Sequence, residues 1–343
     1  MRNFLPAAIA ALPLALGACG ADPVSHGTAA AFRVIEGGQS HTCGITAEDA
    51  VFCWGRNLEG QLGASDPTVA PAAVPILIEP LRLTTLSAGE LSTCGVLDGG
   101  EAVCWGRGSP SLRQFADGVV EVAAGNFTCA RGPSGNVRCD DGAGSSPTEI
   151  LGTAEVRHLA VGGLACGTDG AGIPFCWARS ETVASAIAGA PPLSSVSAGG
   201  GHACGVDADG LVWCWGENSS GQLGDATTAA RADARPVQPI SPMTFRAVSA
   251  GASHTCAIRT DGDTYCWGAG GLAQLGRGVP TVNTTRPLVA VEADVQFSAI
   301  SAGGDQTCGI TGEGEAWCWG ANESGQSGSG DFELVPAPRR IVQ

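Results

Sequence analysis

The sequence predicts an all-β fold: a seven-bladed β-propeller of four-stranded antiparallel blades, each stapled by one hairpin disulfide. Three observations predict it. Fourteen of the 15 cysteines form seven pairs of constant ten-residue separation. Glycine, or once aspartate, stands at one fixed place between the members of every pair. The intervals between successive first cysteines, 51, 35, 37, 38, 52 and 52 residues, have the size of propeller or solenoid repeats.

The pairs are Cys43 and Cys53, Cys94 and Cys104, Cys129 and Cys139, Cys166 and Cys176, Cys204 and Cys214, Cys256 and Cys266, and Cys308 and Cys318. Their flanks, such as HTCAI and TYCWG, have the β-branched and aromatic composition of strands. If Cys256 faces Cys266, then Ala257 faces Tyr265, Ile258 faces Thr264, and Thr260-Asp261-Gly262 is left as a three-residue loop. Such loops require a left-handed residue at their last position. The same register puts Gly100, Gly135, Gly172, Gly210 and Gly314 there, and Asp49 in the first repeat. Cysteines directly opposed on antiparallel strands lie within disulfide reach. Structural zinc needs four ligands with closer spacing, and a thioredoxin-type role needs C-x-x-C, so both readings are set aside.

Before each hairpin runs a further short strand that ends in small residues, as in LRLTTLSAG, VVEVAAG, PLSSVSAG, FRAVSAG and QFSAISAG. Small side chains at a fixed strand end suit the crowded axis of a ring. After several hairpins comes a proline-flanked apolar run, VAPAAVPILI, ARPVQPI, TRPLVAV or VPAPRRIVQ, suited to an outer edge strand. Phe32 to Gly38 reads as an inner strand and Glu333 to Gln343 as an outer one, so the ends meet at an ordinary blade junction.

The first residues, MRNFLPAAIAALPLALGAC, read as a signal peptide over 1–18. Leu16-Gly17-Ala18-Cys19 resembles a bacterial lipobox, which makes Cys19 the expected lipidated residue, and residues 19–31 a flexible tether to a propeller over 32–343. Cysteine parity agrees, because removing Cys19 leaves fourteen that pair completely. An exported chain also meets a compartment where disulfides persist. The expected location is the bacterial envelope, at the outer membrane or cell surface, with the lipid as the sole membrane attachment.

With 18 basic residues, all arginine, against 33 acidic ones, the net charge of -15 argues against nucleic acid as a partner. Nucleophile elbows, P-loops, H-E-x-x-H and dinucleotide fingerprints are absent from the sequence. No cofactor, metal or catalytic residue is expected, and a monomer is.

The segments HTCGITAEDAVFCWGRNLEGQLG (His41 to Gly63), HACGVDADGLVWCWGENSSGQLG (His202 to Gly224) and HTCAIRTDGDTYCWGAGGLAQLG (His254 to Gly276) resemble repeats of the regulator of chromosome condensation family. They also resemble its bacterial branch, which includes a secreted β-lactamase inhibitor protein. The resemblance covers about Phe32 to Gln343 and implies the seven-bladed fold. Repeats two, three and four lack the GQLG turn, Asp140 replaces the tryptophan of the third, and Ala178 replaces the following glycine in the fourth. The resemblance does not imply nucleotide exchange on a nuclear GTPase, since an exported acidic protein meets neither that partner nor chromatin.

Trp54, Trp105, Trp177, Trp215, Trp267 and Trp319 follow the second cysteine and are expected to pack between blades rather than to stack on a ligand. His41, His202 and His254 are expected to make hydrogen bonds that stabilise turns, not a metal triad, because they belong to separate blades. The Asp207-Ala208-Asp209-Gly210 loop lacks a full calcium ligand set and is read as a hairpin turn. Connections between hairpins are long after repeats one, five and six, at 41, 42 and 42 residues, against 25, 27 and 28 elsewhere. Partner contact is therefore expected at Arg56, Asn57, Glu59, Glu217, Asn218, Asn322 and Glu323. The expected function is a non-catalytic protein- or glycan-binding module. Inhibition of a secreted hydrolase, and a lyase or hydrolase site built in the channel or loops, are the alternatives.

Overall fold

The structure is a computed structural model that describes residues 30–63, 71–78, 81–107, 118–140, 147–152, 155–239, 241–287, 291 and 294–342. Cys19, and with it the expected leader and lipid anchor, lies outside the described residues.

Seven antiparallel sheets follow one another along the chain, and in each the strand order is the sequence order. The first blade runs from Phe32–Gly37 at the axis through His41–Thr46 and Val51–Gly55 to Ala72–Ile78 at the rim. Five blades show four strands, while the second and sixth show three among the described residues. In the sixth, Gly268 bridges Thr284 and the Val291 N–H reaches the Thr264 carbonyl, at the place of an outer edge. Among the described residues no blade mixes strands from the two chain ends. The first blade holds only N-terminal strands and the seventh, from Phe297–Ala302 to Val335–Arg340, only C-terminal ones.

The cysteine register holds in all seven blades, where every pair forms a disulfide with Cα atoms 4.0–4.1 Å apart. Cys256 faces Cys266, Ala257 faces Tyr265 and Ile258 faces Thr264, as the spacing predicts. The loop position reserved for a left-handed residue is left-handed throughout, from Gly100 at φ 79° to Gly262 at 101°, with Asp49 at 64°. That residue also joins blades. The carbonyls of Gly100, Gly135, Gly172, Gly210 and Gly314 accept the N–H that opens the next blade's inner strand, for example Phe245 N–H to Gly210 at 2.8 Å.

The small residues at the inner strand ends have a specific cause. At the axial mouth, backbone hydrogen bonds run around the ring: Gln39 to Gly89, Glu90 to Gly125, Asn126 to Gly162, Gly163 to Gly199, Gly200 to Gly251, Ala252 to Gly303 and Gly304 to Gly38. Each links a blade to the next, and the last closes blade seven onto blade one. A Cβ on any of the accepting glycines would fall 2.0–2.8 Å from the carbonyl oxygen of the next blade. Only glycine lets the strands converge this far. Closure therefore rests on contacts between blades rather than on an exchanged strand.

Candidate binding face and the clasps between blades

On the face that carries this mouth, four turns share one construction: Arg56–Gly63, Glu217–Gly224, Ala269–Gly276 and Ala321–Gly328. Within each, a glutamine side chain (Gln61, Gln222, Gln274, Gln326) accepts the N–H two residues before it at 2.9 Å. In three, an asparagine caps the turn: Asn57 Oδ1 accepts from Leu62, Asn218 from Leu223 and Asn322 from Ser327, at 2.9–3.0 Å. The residue before the glutamine is left-handed, and in the third turn Ala273 adopts φ 59° where Gly60, Gly221 and Gly325 stand in the others.

These turns reach sideways. The Gln222 main-chain carbonyl accepts from the Thr255 hydroxyl at 2.8 Å and from the Trp267 indole N–H at 2.9 Å, both in the next blade. Gln61 accepts likewise from Thr93 and Trp105, and Gln274 from Thr307 and Trp319. A histidine completes each clasp. His41 lies 2.8 Å from Thr93 Oγ1, His202 2.8 Å from Thr255 and His254 2.9 Å from Thr307, each through Nε2. A hydroxyl has one proton, and here it goes to the glutamine carbonyl, so the imidazole must be the donor and carries its hydrogen on Nε2. Burial lowers the imidazole pKa to about 4 in His41 and His202 and to about 3 in His254, where the charge of His202 adds to the effect. The imidazoles are neutral and hold blades together, so the expected role within a turn is replaced by one between blades.

The junction of blades seven and one keeps half of this clasp. Thr42 donates to the Gln326 carbonyl at 2.8 Å, while Gln306 stands in the histidine position and its Nε2 donates to Gly38. Repeats two to four lack the glutamine turn. There the indoles of Trp177 and Trp215 point at disulfide sulfurs of the preceding blade, Cys139 and Cys176, at 3.4 Å. Trp54, Trp177, Trp215, Trp267 and Trp319 are all buried, in keeping with interblade packing.

The expected contact residues divide in two. Asn57, Asn218 and Asn322 are buried and occupied by the turn; Asn218 Nδ2 also reaches Asp225 and the Thr227 and Ala229 carbonyls. Glu217 and Glu323 are exposed, Arg56 is half-buried, and Glu59 is paired with Arg107, whose Nε lies 2.8 Å from Oε2. Beneath the turns, burial acts to raise the Asp225 carboxyl, but hydrogen bonds from Thr227 and Arg231 outweigh it and hold the group below the usual carboxylate range. Asp305, held by Gln274 Nε2 at 3.1 Å, is raised by burial and by the charge of Glu323.

The mouth is a cavity of about 420 Å³ lined by the glycine turns together with Glu90, Asn126 and Glu217. Leu58, Leu272 and Phe332, in the long connections around it, are 72%, 45% and 50% exposed. No group of three or more His, Cys, Asp and Glu side chains placed to hold a metal occurs among the described residues.

This construction is that of a propeller of RCC1-like repeats. The "Regulator of chromosome condensation (RCC1) repeat" model matches residues 33–61, 193–222, 245–274 and 297–326, and a second model of the same repeat matches 209–258. Each of the first four matches ends on the turn glutamine. The chain is 26% identical over 308 residues to the ultraviolet-B receptor UVR8 of Arabidopsis thaliana, covering 88% of this chain and 57% of that protein. It is 25% identical to the mitochondrial RCC1 domain-containing protein RUG3 of the same plant, over 86% of this chain and 55% of that one. The chain thus spans little more than half the length of these curated relatives. Human WBSCR16 superposes with a TM-score of 0.73 at 17% identity, covering 86% of this chain and 94% of that one, a likeness of fold.

Proposed function

We propose that this protein is a non-catalytic binding module, exported to the bacterial envelope and anchored there by lipid at Cys19, whose protein or glycan partner docks on the face of the long turns. One observation carries the binding reading. Four turns, each braced by its own Gln side chain and three also by an Asn, flank the axial mouth on one sector and present apolar and acidic tips, Leu58, Leu272, Glu217 and Glu323. A preformed surface loses little conformational entropy on association. Solved propellers of the same fold give support from their own partners: one is described as yeast RCC1 bound by Kap60, another by its binding properties to Gsp1p and histones. Those partners are not carried over. The acidic charge of this chain favours a partner with basic groups. The anchor reading is supported by the apolar leader and by the seven disulfides, which use every cysteine except Cys19.

A photo-crosslinking residue placed at Leu58 or Leu272 in intact cells tests the reading. One defined partner is expected from both positions, and none from Leu211 beside a hairpin loop on the opposite face. Equal capture from all three positions would remove the proposal. A secreted hydrolase captured there, and inhibited by the purified propeller, would make the module an inhibitor.

A further inference from the structure

Below the mouth, the inner strands enclose a second cavity of about 350 Å³. Gly37, Ala88, Ala124, Val161, Ala198, Ala250 and Ala302 line both spaces, so the two form one channel with a collar of small residues between them. At the position opposite the first cysteine, four blades carry serine: Ser87, Ser197, Ser249 and Ser301. Each serine oxygen accepts a backbone N–H of the next blade at 2.9–3.0 Å, as Ser301 does from Gly37. The third and fourth blades carry Ala123 and Ala160 there, and the first carries Glu36.

Glu36 therefore places a carboxyl in a channel where its counterparts place a hydroxyl or a methyl. The other carboxylate lining the cavity, Glu121, is held by Arg131 at 2.7 Å and faces the Leu159 N–H, so its charge is balanced. Glu36 meets the Ser301 hydroxyl and has no ion pair among the described residues. Desolvation pushes its carboxyl up to about 7, against the opposing effect of the Ser301 hydrogen bond. Once ionised, an unbalanced carboxyl lining such a space is costly unless a cation joins it. One carboxylate is too few for calcium, which takes about six to eight oxygens. A primary ammonium, with three N–H donors, fits one carboxylate and the neighbouring hydroxyl oxygens.

We propose that the axial cavity binds a small protonated primary amine, with Glu36 as its counter-ion. The proposal does not rest on a partner docking at the turn face.

The test is titration calorimetry with n-butylammonium chloride on the full propeller near pH 8, above the Glu36 pKa of about 7. n-Butanol and potassium chloride are the controls, and Glu36→Ser is the variant. Saturable binding is expected for the ammonium, at least about tenfold weaker binding for the alcohol, and loss of binding in E36S. Serine occupies the equivalent site in four other blades, so E36S should fold, and the amine should raise the melting temperature of the parent protein alone. Absence of saturable binding, or binding unchanged in E36S, would overturn the proposal. Potassium binding as tightly as the amine would overturn the amine assignment.

Discussion

Two sectors of this ring are built from different chemistry. Where blade five meets six, six meets seven and one meets two, a histidine, a threonine and a main-chain carbonyl form a continuous hydrogen-bonded clasp. From blade two to blade five, the tryptophan found in blades four and five rests against a disulfide sulfur. Strand length follows the same division. The match is partial: the three inner strands of blades three and four have four residues each, while those of the other five blades, blade two included, have five or six. The axial ring of backbone bonds runs through both sectors. Ring closure thus requires glycine everywhere but the clasp only in part, and the clasped sector is also the one that carries the elaborate turns.

Acid should separate the sectors most strongly. His41, His202 and His254 have folded pKa values near 4, 4 and 3, below the ordinary 6.5, so the unfolded chain takes up protons that the folded chain refuses. Their stabilising effect is complete above pH 6.5 and is lost as pH falls toward 4. Each imidazole accounts for about 3 kcal/mol at the acid end, as an order of magnitude. Glu36 runs the other way, since its raised pKa of about 7 favours the folded state at low pH and loses that contribution between 4.5 and 7. Melting temperatures measured across this range should therefore drop in acid, and His202→Gln with His254→Gln should flatten the drop. An unchanged pH profile in that variant would refute the clasp.

The next effect concerns the staples. Removing a disulfide that closes a loop of about eleven residues costs on the order of 3 kcal/mol. Replacing Cys129 and Cys139 with serine also takes from Trp177 its sulfur contact, whereas replacing Cys204 and Cys214 leaves the Thr255 and Trp267 bonds to the Gln222 carbonyl in place. Denaturant unfolding should show the larger loss for the blade-three pair. The reverse order would show that the clasp adds no local stability.

Thr255→Val tests the clasp directly. It keeps the shape but orphans the His202 donor and removes one bond to the Gln222 carbonyl, at a cost of about 2 kcal/mol. Thr128→Val, at the equivalent place in blade three, should cost less than half as much in the same unfolding assay. The smallest change is Asp49→Gly. It relieves a left-handed φ of 64° but gives up an exposed pair with Arg33, so stability should move by less than about 1 kcal/mol.

The fold was legible because its determinants are local. Ten-residue cysteine spacing and one turn position fix a hairpin register, and repetition of that unit leaves few architectures. The outer strands were legible through Pro75, Pro236, Pro336 and Pro338, which lie in the rim strands of blades one, five and seven. The clasp was not read from the sequence, although its signal is present. A histidine or glutamine in one repeat is matched by a threonine in the next, an offset visible only once neighbouring blades are paired. Asn57, Asn218 and Asn322 drew attention as polar residues in long turns, yet such turns need buried amides to satisfy their own backbone. Glu36 stood out only after its serine counterparts were aligned around the axis.

The most direct measurement is native-state hydrogen exchange of the tryptophan side chains. The indole N–H groups of Trp105, Trp267 and Trp319 donate to glutamine carbonyls, and those of Trp177 and Trp215 face sulfur. If the ring is held by two kinds of junction, the first three exchange only through openings about 2 kcal/mol costlier than the openings that free the last two. Exchange at one common free energy for all five would contradict the account.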